Sequence, residues 1–217
     1  MKTLASILLL LSFSTARAAT TRFELKDIGL RNLVQVSMEG VLEKTVGISS
    51  FLFGWVELDP DRLIDGINGE IRTDLRTFHT GVAAKEDFLL EKLLLVKEHP
   101  NATVTLSKLL SVSKANLRDG QPVVAKVEGV LALKGLKKTQ TFLLKLAYFK
   151  ESPMTLNRST GNLLKVSGSW DVDLQQFDVT IPENLKAQVP RYVQVSGDFV
   201  ASAKTGTNTA DNKVKKP

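Results

Sequence analysis

The sequence predicts a mainly β protein, an antiparallel barrel of about eight strands with one inserted amphipathic helix. Two observations predict it. Apolar and polar residues alternate along most segments after residue 30, and a single segment shows helical spacing instead. No segment recurs at the period of a solenoid. At this strand number the interior can be filled by side chains or can hold one elongated ligand.

Composition excludes several functional classes. With 43% hydrophobic and 24% charged residues, the 217-residue chain is not wholly disordered. The absence of cysteine excludes disulfides, thiolate metal sites and a cysteine nucleophile, and two histidines are too few for a polyhistidine centre, so no metal is expected. A net charge of +6 permits an anionic partner. No aromatic stacking platform lies among the basic residues, so we expect no nucleic-acid partner.

The two ends of the chain do not follow the barrel pattern. Residues 1–18 predict a secretory signal, with Lys2 before an apolar run and small residues at the cleavage site, so we expect cleavage after Ala18. Residues 19–203 form the predicted barrel domain. Residues 204–217 are polar and basic, and they predict a mobile tail.

The first half of the barrel domain contains four predicted strands. They cover residues 32–38, 46–58, 65–75 and 102–112. The second of them is apolar on both faces through Phe51, Phe53 and Trp55, so alternation cannot assign its inward face. We expect its outer side to be covered.

One segment of this half predicts a helix instead, over residues 85–96. Phe88, Leu89, Leu93 and Val96 recur at helical spacing, and acidic residues precede Lys97 as the helix dipole favours. Pro100 follows the segment. We expect this helix to lie on the barrel or to cap its mouth.

The second half contains the clearest alternation. Residues 123–133 and 139–149 predict two strands of a hairpin, joined by a turn over residues 134–138 that contains Gly135. Residues 163–174 predict the next strand, and residues 193–201 the last.

Three glycines occupy the inward phase of these strands, namely Gly129, Gly168 and Gly197. A strand glycine can relieve strain at a barrel corner, or its missing side chain can leave room for a ligand, and alternation does not decide between the two. If the interior is an apolar tunnel, its predicted lining is Gly129, Phe142, Leu144, Leu146, Val166, Gly168, Trp170, Val193, Gly197 and Phe199.

Four segments in order resemble the YceI-like family of secreted bacterial lipid-binding proteins. The resemblance covers about residues 31–202. The segments are Gly54-Trp55-Val56-Glu57-Leu58-Asp59-Pro60, residues 74–81 with the helix and His99-Pro100-Asn101-Ala102, Gly129-Val130-Leu131-Ala132-Leu133-Lys134-Gly135, and Phe177-Asp178-Val179-Thr180-Ile181-Pro182 followed by the strand through residues 189–195.

The resemblance implies an extended lipocalin-like antiparallel barrel that holds a long isoprenoid chain, such as a polyprenyl lipid or a quinone tail. It also implies a periplasmic location, no catalysis and no cofactor beyond such a bound lipid or quinone. Where the family has an Arg-Asp pair and then a histidine, this sequence has Lys85, Glu86 and Phe88. Lys85 and Glu86 are therefore our candidates for the mouth and the head group.

Alternative functions remain open from sequence. A barrel with a filled core could serve as a cell-envelope interaction or stress-response module. A transient contact with a membrane surface and a homodimer formed through a barrel edge are further expectations. An enzyme is disfavoured, because no Gly-x-Ser-x-Gly elbow occurs, and His79 and His99 are too far apart in sequence to form a metal-ligand motif.

Overall fold

The computed structural model describes residues 20–26 and 29–203. The predicted signal over residues 1–18 and the predicted tail over residues 204–217 lie outside the described residues. The strands are β1 (Thr21–Leu25), β2 (Leu33–Glu39), β3 (Lys44–Ser49), β4 (Leu52–Leu58), β5 (Ile67–Asp74), β6 (Asn101–Val112), β7 (Pro122–Leu133), β8 (Leu136–Phe149), β9 (Asn162–Asp173) and β10 (Tyr192–Ala203).

These ten strands form a closed antiparallel barrel with eight positions around its circumference. β1 and β2 both pair with β10 and share one position, while β4 pairs with β1 and β3 pairs with β2, so β3 and β4 share the next. The pairing of Glu24 with Ser202 joins the first strand to the last. The predicted eight-stranded barrel is therefore confirmed, with two of its strands each broken into two.

The break between β3 and β4 corrects the single strand predicted over residues 46–58. The hydroxyl of Ser49 lies 2.6 Å from that of Thr77 and accepts a hydrogen bond from the backbone N–H of Phe51 at 3.1 Å. These bonds replace ladder bonds at residues 50–51. Leu52, Val56 and Leu58 are buried, whereas Phe51 and Phe53 are exposed, which assigns the face that alternation left open.

The predicted helix is present but is wound in two ways. Helix α1 (Ala83–Asp87) continues as a π-helical segment over Phe88–Leu93, in which the N–H of Leu94 donates to the carbonyl of Leu89. Leu93 and Val96 are buried, and Phe88 and Leu89 pack against the core. A second short helix, α2 (Pro153–Leu156), follows β8 and was not predicted.

The hairpin of β7 and β8 turns more tightly than the sequence predicts. Lys134 and Gly135 alone connect the strands, both with positive φ, at 50° and 76°. This is the backbone of a two-residue turn that matches strand twist, and glycine adopts it without strain. β8 therefore begins at Leu136, and residues 136–138 belong to the strand rather than to the turn.

One half of the barrel interior is filled by side chains. It contains Phe23, packed edge-to-face on Tyr148 with 6.2 Å between ring centroids, together with the fully buried Leu58, Leu63 and Leu146. The other half, toward α1, contains the cavity.

Candidate functional site

An apolar cavity of about 160 Å³ occupies the half of the barrel nearer to α1. Every strand position contributes to its lining, and among the lining side chains only Thr73 and Trp170 carry polar atoms. On the order of ten water molecules would fit in this volume, yet cavities with so apolar a lining stay dry. The cavity is therefore suited to an apolar group.

A second apolar space of about 90 Å³ lies beneath the helical segment. Leu89, Leu90 and Leu93 form its cover, and it shares Leu75, Phe78 and four other lining residues with the first cavity. The two spaces are therefore adjacent. The helix therefore caps the mouth of the barrel, which is one of the two positions predicted for it.

Eight of the ten predicted lining residues border the cavity: Phe142, Leu144, Val166, Gly168, Trp170, Val193, Gly197 and Phe199. Gly129 and Leu146 do not, which corrects their assignment. Leu146 is fully buried in the filled half of the barrel. Gly129 lies where the β6 backbone passes over its inner side, so that a Cβ there would overlap the carbonyl oxygen of Thr105.

The three inward glycines differ in what surrounds them. A Cβ on Gly168 would stand 2.9 Å from both the carbonyl oxygen of Leu143 and Cδ2 of Leu144. Gly129 and Gly168 therefore mark close approaches between strands. At Gly197 nothing lies within 4 Å of the Cβ position, so this glycine alone of the three leaves open volume.

The first half of the chain also contributes to the lining, which the sequence did not predict. The cavity is bordered by Val34 and Val36 of β2, Ile71 and Thr73 of β5, and Val104 of β6. These residues alternate with outward-facing ones in their strands, and this alternation is the signal that could have identified them. It is less regular there than in the second half of the chain.

Lys85 and Glu86, the predicted head-group pair, are bonded to the protein itself. Lys85 Nζ lies 2.7 Å from Glu43 Oε1. Glu86 Oε1 accepts the backbone N–H groups of Thr80 at 2.6 Å and Gly81 at 3.0 Å, and these bonds lower the pKa of Glu86 below its usual value. The arrangement holds the start of the helix over the mouth. Their role toward a head group stays a prediction.

Asp173 and Arg191 form a charge-assisted hydrogen-bonded pair at the end of β9. Arg191 donates from Nε to Asp173 Oδ1 at 2.9 Å and from Nη2 to Oδ2 at 2.6 Å, and Asp173 also accepts the backbone N–H of Gln175. The Arg191 bonds are the main reason that the pKa of Asp173 lies below its usual value. The pair ties the start of β10 to the turn Leu174–Phe177 at the rim of the cavity.

Few buried side-chain polar atoms of the described residues lack a hydrogen-bond partner, and two of them border the cavity. Among the described residues, the side-chain atoms buried without a hydrogen bond are Thr73 Oγ1, Gln140 Oε1, Trp170 Nε1 and Asn32 Nδ2. Thr73 and Trp170 line the cavity. Trp170 also packs edge-to-face on Phe142, with 5.1 Å between ring centroids. A buried donor or acceptor left unpaired is costly, so a ligand that satisfied it would gain affinity.

Among residues 20–26 and 29–203, no group of three or more histidine or acidic side chains is placed to hold a metal ion. No helix in this part of the chain is long and apolar enough to cross a bilayer.

Solved structures share this fold. BcnA of Burkholderia cenocepacia is 18% identical, with a TM-score of 0.60, over 82% of this chain and 100% of that one. A domain of Saccharophagus degradans, described as polyisoprenoid-binding, is 14% identical, with a TM-score of 0.61, over 86% and 99%. The YceI protein of Campylobacter jejuni is 12% identical, with a TM-score of 0.54, over 70% and 81%. No curated protein sequence matches the chain.

The family comparison covers most of the chain. The model of the YceI-like domain matches residues 16–201, which include β1 to β9, β10 as far as Ala201, the capping helix and every residue that lines the cavity. The four segments that resembled this family in the sequence fall inside the match. The chain therefore belongs to the YceI-like family.

Proposed function

We propose that this protein binds one long-chain amphiphile, an isoprenoid lipid or quinone, with its apolar chain inside the barrel. The apolar cavity beneath the helix carries the proposal, since nearly all of its lining is hydrocarbon. The polyisoprenoid-binding description of the Saccharophagus degradans domain supports the ligand class. Burying a chain there would be driven by about 25 cal/mol for each Å² of apolar surface removed from water.

We infer further that the protein is a carrier and not an enzyme. Glu86 is the titratable side chain among the described cavity-lining residues, and its carboxylate is already bonded to backbone N–H groups. A group so bonded is poorly placed to exchange protons with a ligand. The signal predicted over residues 1–18 supports a periplasmic location for the carrier.

The test is the lipid content of protein purified from its own host. Native mass spectrometry and organic extraction should reveal an isoprenoid lipid bound one per barrel. The extracted lipid should rebind to emptied protein and be released chemically unchanged. If no lipid co-purifies, and emptied protein takes up neither ubiquinone nor a polyprenyl phosphate, the proposal is wrong and the cavity has another role.

A further inference from the structure

The seam between β8 and β9 is paired over only half of its length. Register partners run from Phe149 with Leu163 to Leu144 with Gly168 and end there. β8 continues to Leu136 and β9 to Asp173. Through these stretches β8 remains paired with β7, and β9 remains paired with β10. The unpaired stretches, residues 136–143 and 169–173, border a gap in the hydrogen-bond ladder that we call the slot, and Phe142 and Trp170 pack edge-to-face across it.

The slot has defined ends. At one end the strands rejoin at Leu144 and Gly168. At the other end the turn Leu174–Phe177 packs against β8, and Lys134 Nζ donates to the carbonyl of Asp178 at 2.7 Å. Near the first end the wall is thin, because Leu144 and Gly168 line both the cavity and a groove on the outer surface.

The inward phase of β8 becomes polar along the slot. Leu144 in the paired part and Phe142 at the start of the slot are apolar, whereas the next two inward residues are Gln140 and Lys138. Gln140 is paired with Gly129, and Lys138 with Leu131, a cavity-lining residue. Since side chains opposite one another in register lie on the same face of a sheet, Gln140 and Lys138 are directed inward.

The polar groups along the slot lack partners within the protein. Gln140 Oε1 and Trp170 Nε1 are buried without a hydrogen bond. In the part of the chain that the structure describes, Lys138 Nζ makes no hydrogen bond or ion pair. Lys85, by contrast, is bonded to Glu43. The Lys138 ammonium group, the NH2 of the Gln140 amide and the Trp170 indole N–H offer donors to an oxygen-rich group, and Gln140 Oε1 can accept from a hydroxyl of that group. The adjoining cavity, by contrast, is lined almost entirely by hydrocarbon.

We propose that the slot binds the polar end of the amphiphile, with Lys138, Gln140 and Trp170 as the residues that recognise its oxygen atoms. This rests on the proposed function, because it assumes that the cavity holds the apolar chain. The shared chemistry is a head group that accepts hydrogen bonds. A phosphate and a quinone carbonyl both supply it, and they differ in their dependence on the charge of Lys138.

The experiment compares ligands with and without a head group. Geranylgeranyl phosphate, decylubiquinone and phytane, a hydrocarbon, are each partitioned from the same micelles into emptied protein, and bound ligand is quantified by mass spectrometry. The variants are Lys138→Gln, Gln140→Met and Trp170→Phe, of which the last keeps the ring on Phe142 and removes the N–H. Lys137→Gln is the matched control, because Lys137 is exposed on the outer phase of β8.

We expect Gln140→Met and Trp170→Phe each to weaken both oxygen-bearing ligands by about 3- to 10-fold, the loss of one hydrogen bond, and to leave phytane unchanged. Lys138→Gln should weaken the phosphate more than the quinone, because the ammonium group bonds more strongly to an anion. Equal weakening of the two would show that Lys138 acts in the slot as a hydrogen-bond donor whose charge confers no preference for an anionic head group. Lys137→Gln should change nothing.

Two results would overturn the slot proposal while leaving the proposed function intact. In the first, the parent protein binds all three ligands, and the slot variants bind phytane and the oxygen-bearing ligands equally less. Such a result would indicate lost packing and not lost hydrogen bonds. The other is loss of the oxygen-bearing ligands in Lys85→Gln and in none of the slot variants. A parent that binds none of the three ligands contradicts the proposed function itself.

Discussion

Gly168 and Gly197 lie directly opposite one another in the pairing of β9 with β10, and both border the cavity, but only one of them has room for a side chain. Gly168 is backed by the carbonyl oxygen of Leu143, whereas Gly197 faces empty space. Glycines on the same phase of adjacent strands thus have different structural roles.

Gly197→Leu should abolish lipid retention and leave the melting temperature of the apo protein nearly unchanged, because the new side chain occupies the space of the ligand. Ser196→Leu, on the outer phase of the same strand, is the control and should retain lipid. Lipid content after purification and differential scanning calorimetry of the apo protein measure the two effects. Full lipid retention in Gly197→Leu would show that the ligand does not use this part of the cavity.

Gly168→Ala should instead destabilise the fold by about 1–3 kcal/mol, since the added methyl would press on the backbone of Leu143 and on the side chain of Leu144. The measurement is equilibrium denaturation in urea. The close approach of β8 therefore makes Gly168 unsuitable for a substitution meant to block the cavity. An unchanged unfolding free energy would mean that β8 moves away freely at this point.

Trp55→Phe should leave a protein whose fluorescence reports on the cavity alone. The chain has two tryptophans, of which Trp170 lines the cavity and Trp55 lies outside it, with the Arg22 guanidinium 4.0 Å from its ring centroid. Added decylubiquinone should quench most of the remaining emission at saturation. The matched Trp170→Phe variant, which retains Trp55, should be quenched far less. Equal quenching of both variants would place the quinone outside the barrel.

Asp173→Asn should lower the melting temperature at neutral pH. It should also make the melting temperature fall less steeply than that of the parent protein as the pH is lowered. The pKa of Asp173 is lower in the folded protein than in the unfolded chain, so its contribution is complete above the unfolded value of about 3.9 and is lost as the pH falls through the folded value. Melting temperatures from about pH 6 to about pH 2 check this window. Asp65→Asn, which disrupts an exposed pair with Arg62, is the control and should have little effect.

Leu93→Ala should loosen the cover of the barrel. Leu93 is 6% exposed and lies over the second apolar space, so the truncation should cost about 2–5 kcal/mol, nearer the lower end because a cavity already adjoins it. Bound lipid should also dissociate faster in a transfer assay to empty vesicles. Leu156→Ala, at a leucine that is 49% exposed, should change neither. A stable variant with unchanged release would show that the helix does not retain the ligand.

The β7–β8 hairpin and the inward phase of β7 to β10 could be predicted from the sequence, because alternation reports directly on which face of a strand is buried. The features that the sequence did not predict depend on contacts between residues that are far apart in the sequence. The break at residues 50–51 is held by the hydroxyls of Ser49 and Thr77, and the difference between Gly168 and Gly197 depends on how closely β8 passes. The polar residue Gln140 in the otherwise apolar inward phase of β8 was the one sequence signal of the slot. Alternation within β8 carries no information about where its pairing with β9 ends.

The pairing of Glu24 with Ser202 has a consequence for how the chain folds. β10, the last strand to be synthesised, pairs with β9 and with both β1 and β2, so the barrel closes through contacts that span almost the whole sequence. Contacts of such large sequence separation make folding slow, because the loop-closure entropy is lost before the contacts form. Until β10 arrives, the edges of β1, β2 and β9 are unpaired and open to other chains. Correct assembly therefore depends on keeping the incomplete chain apart from its neighbours until its final strand is in place.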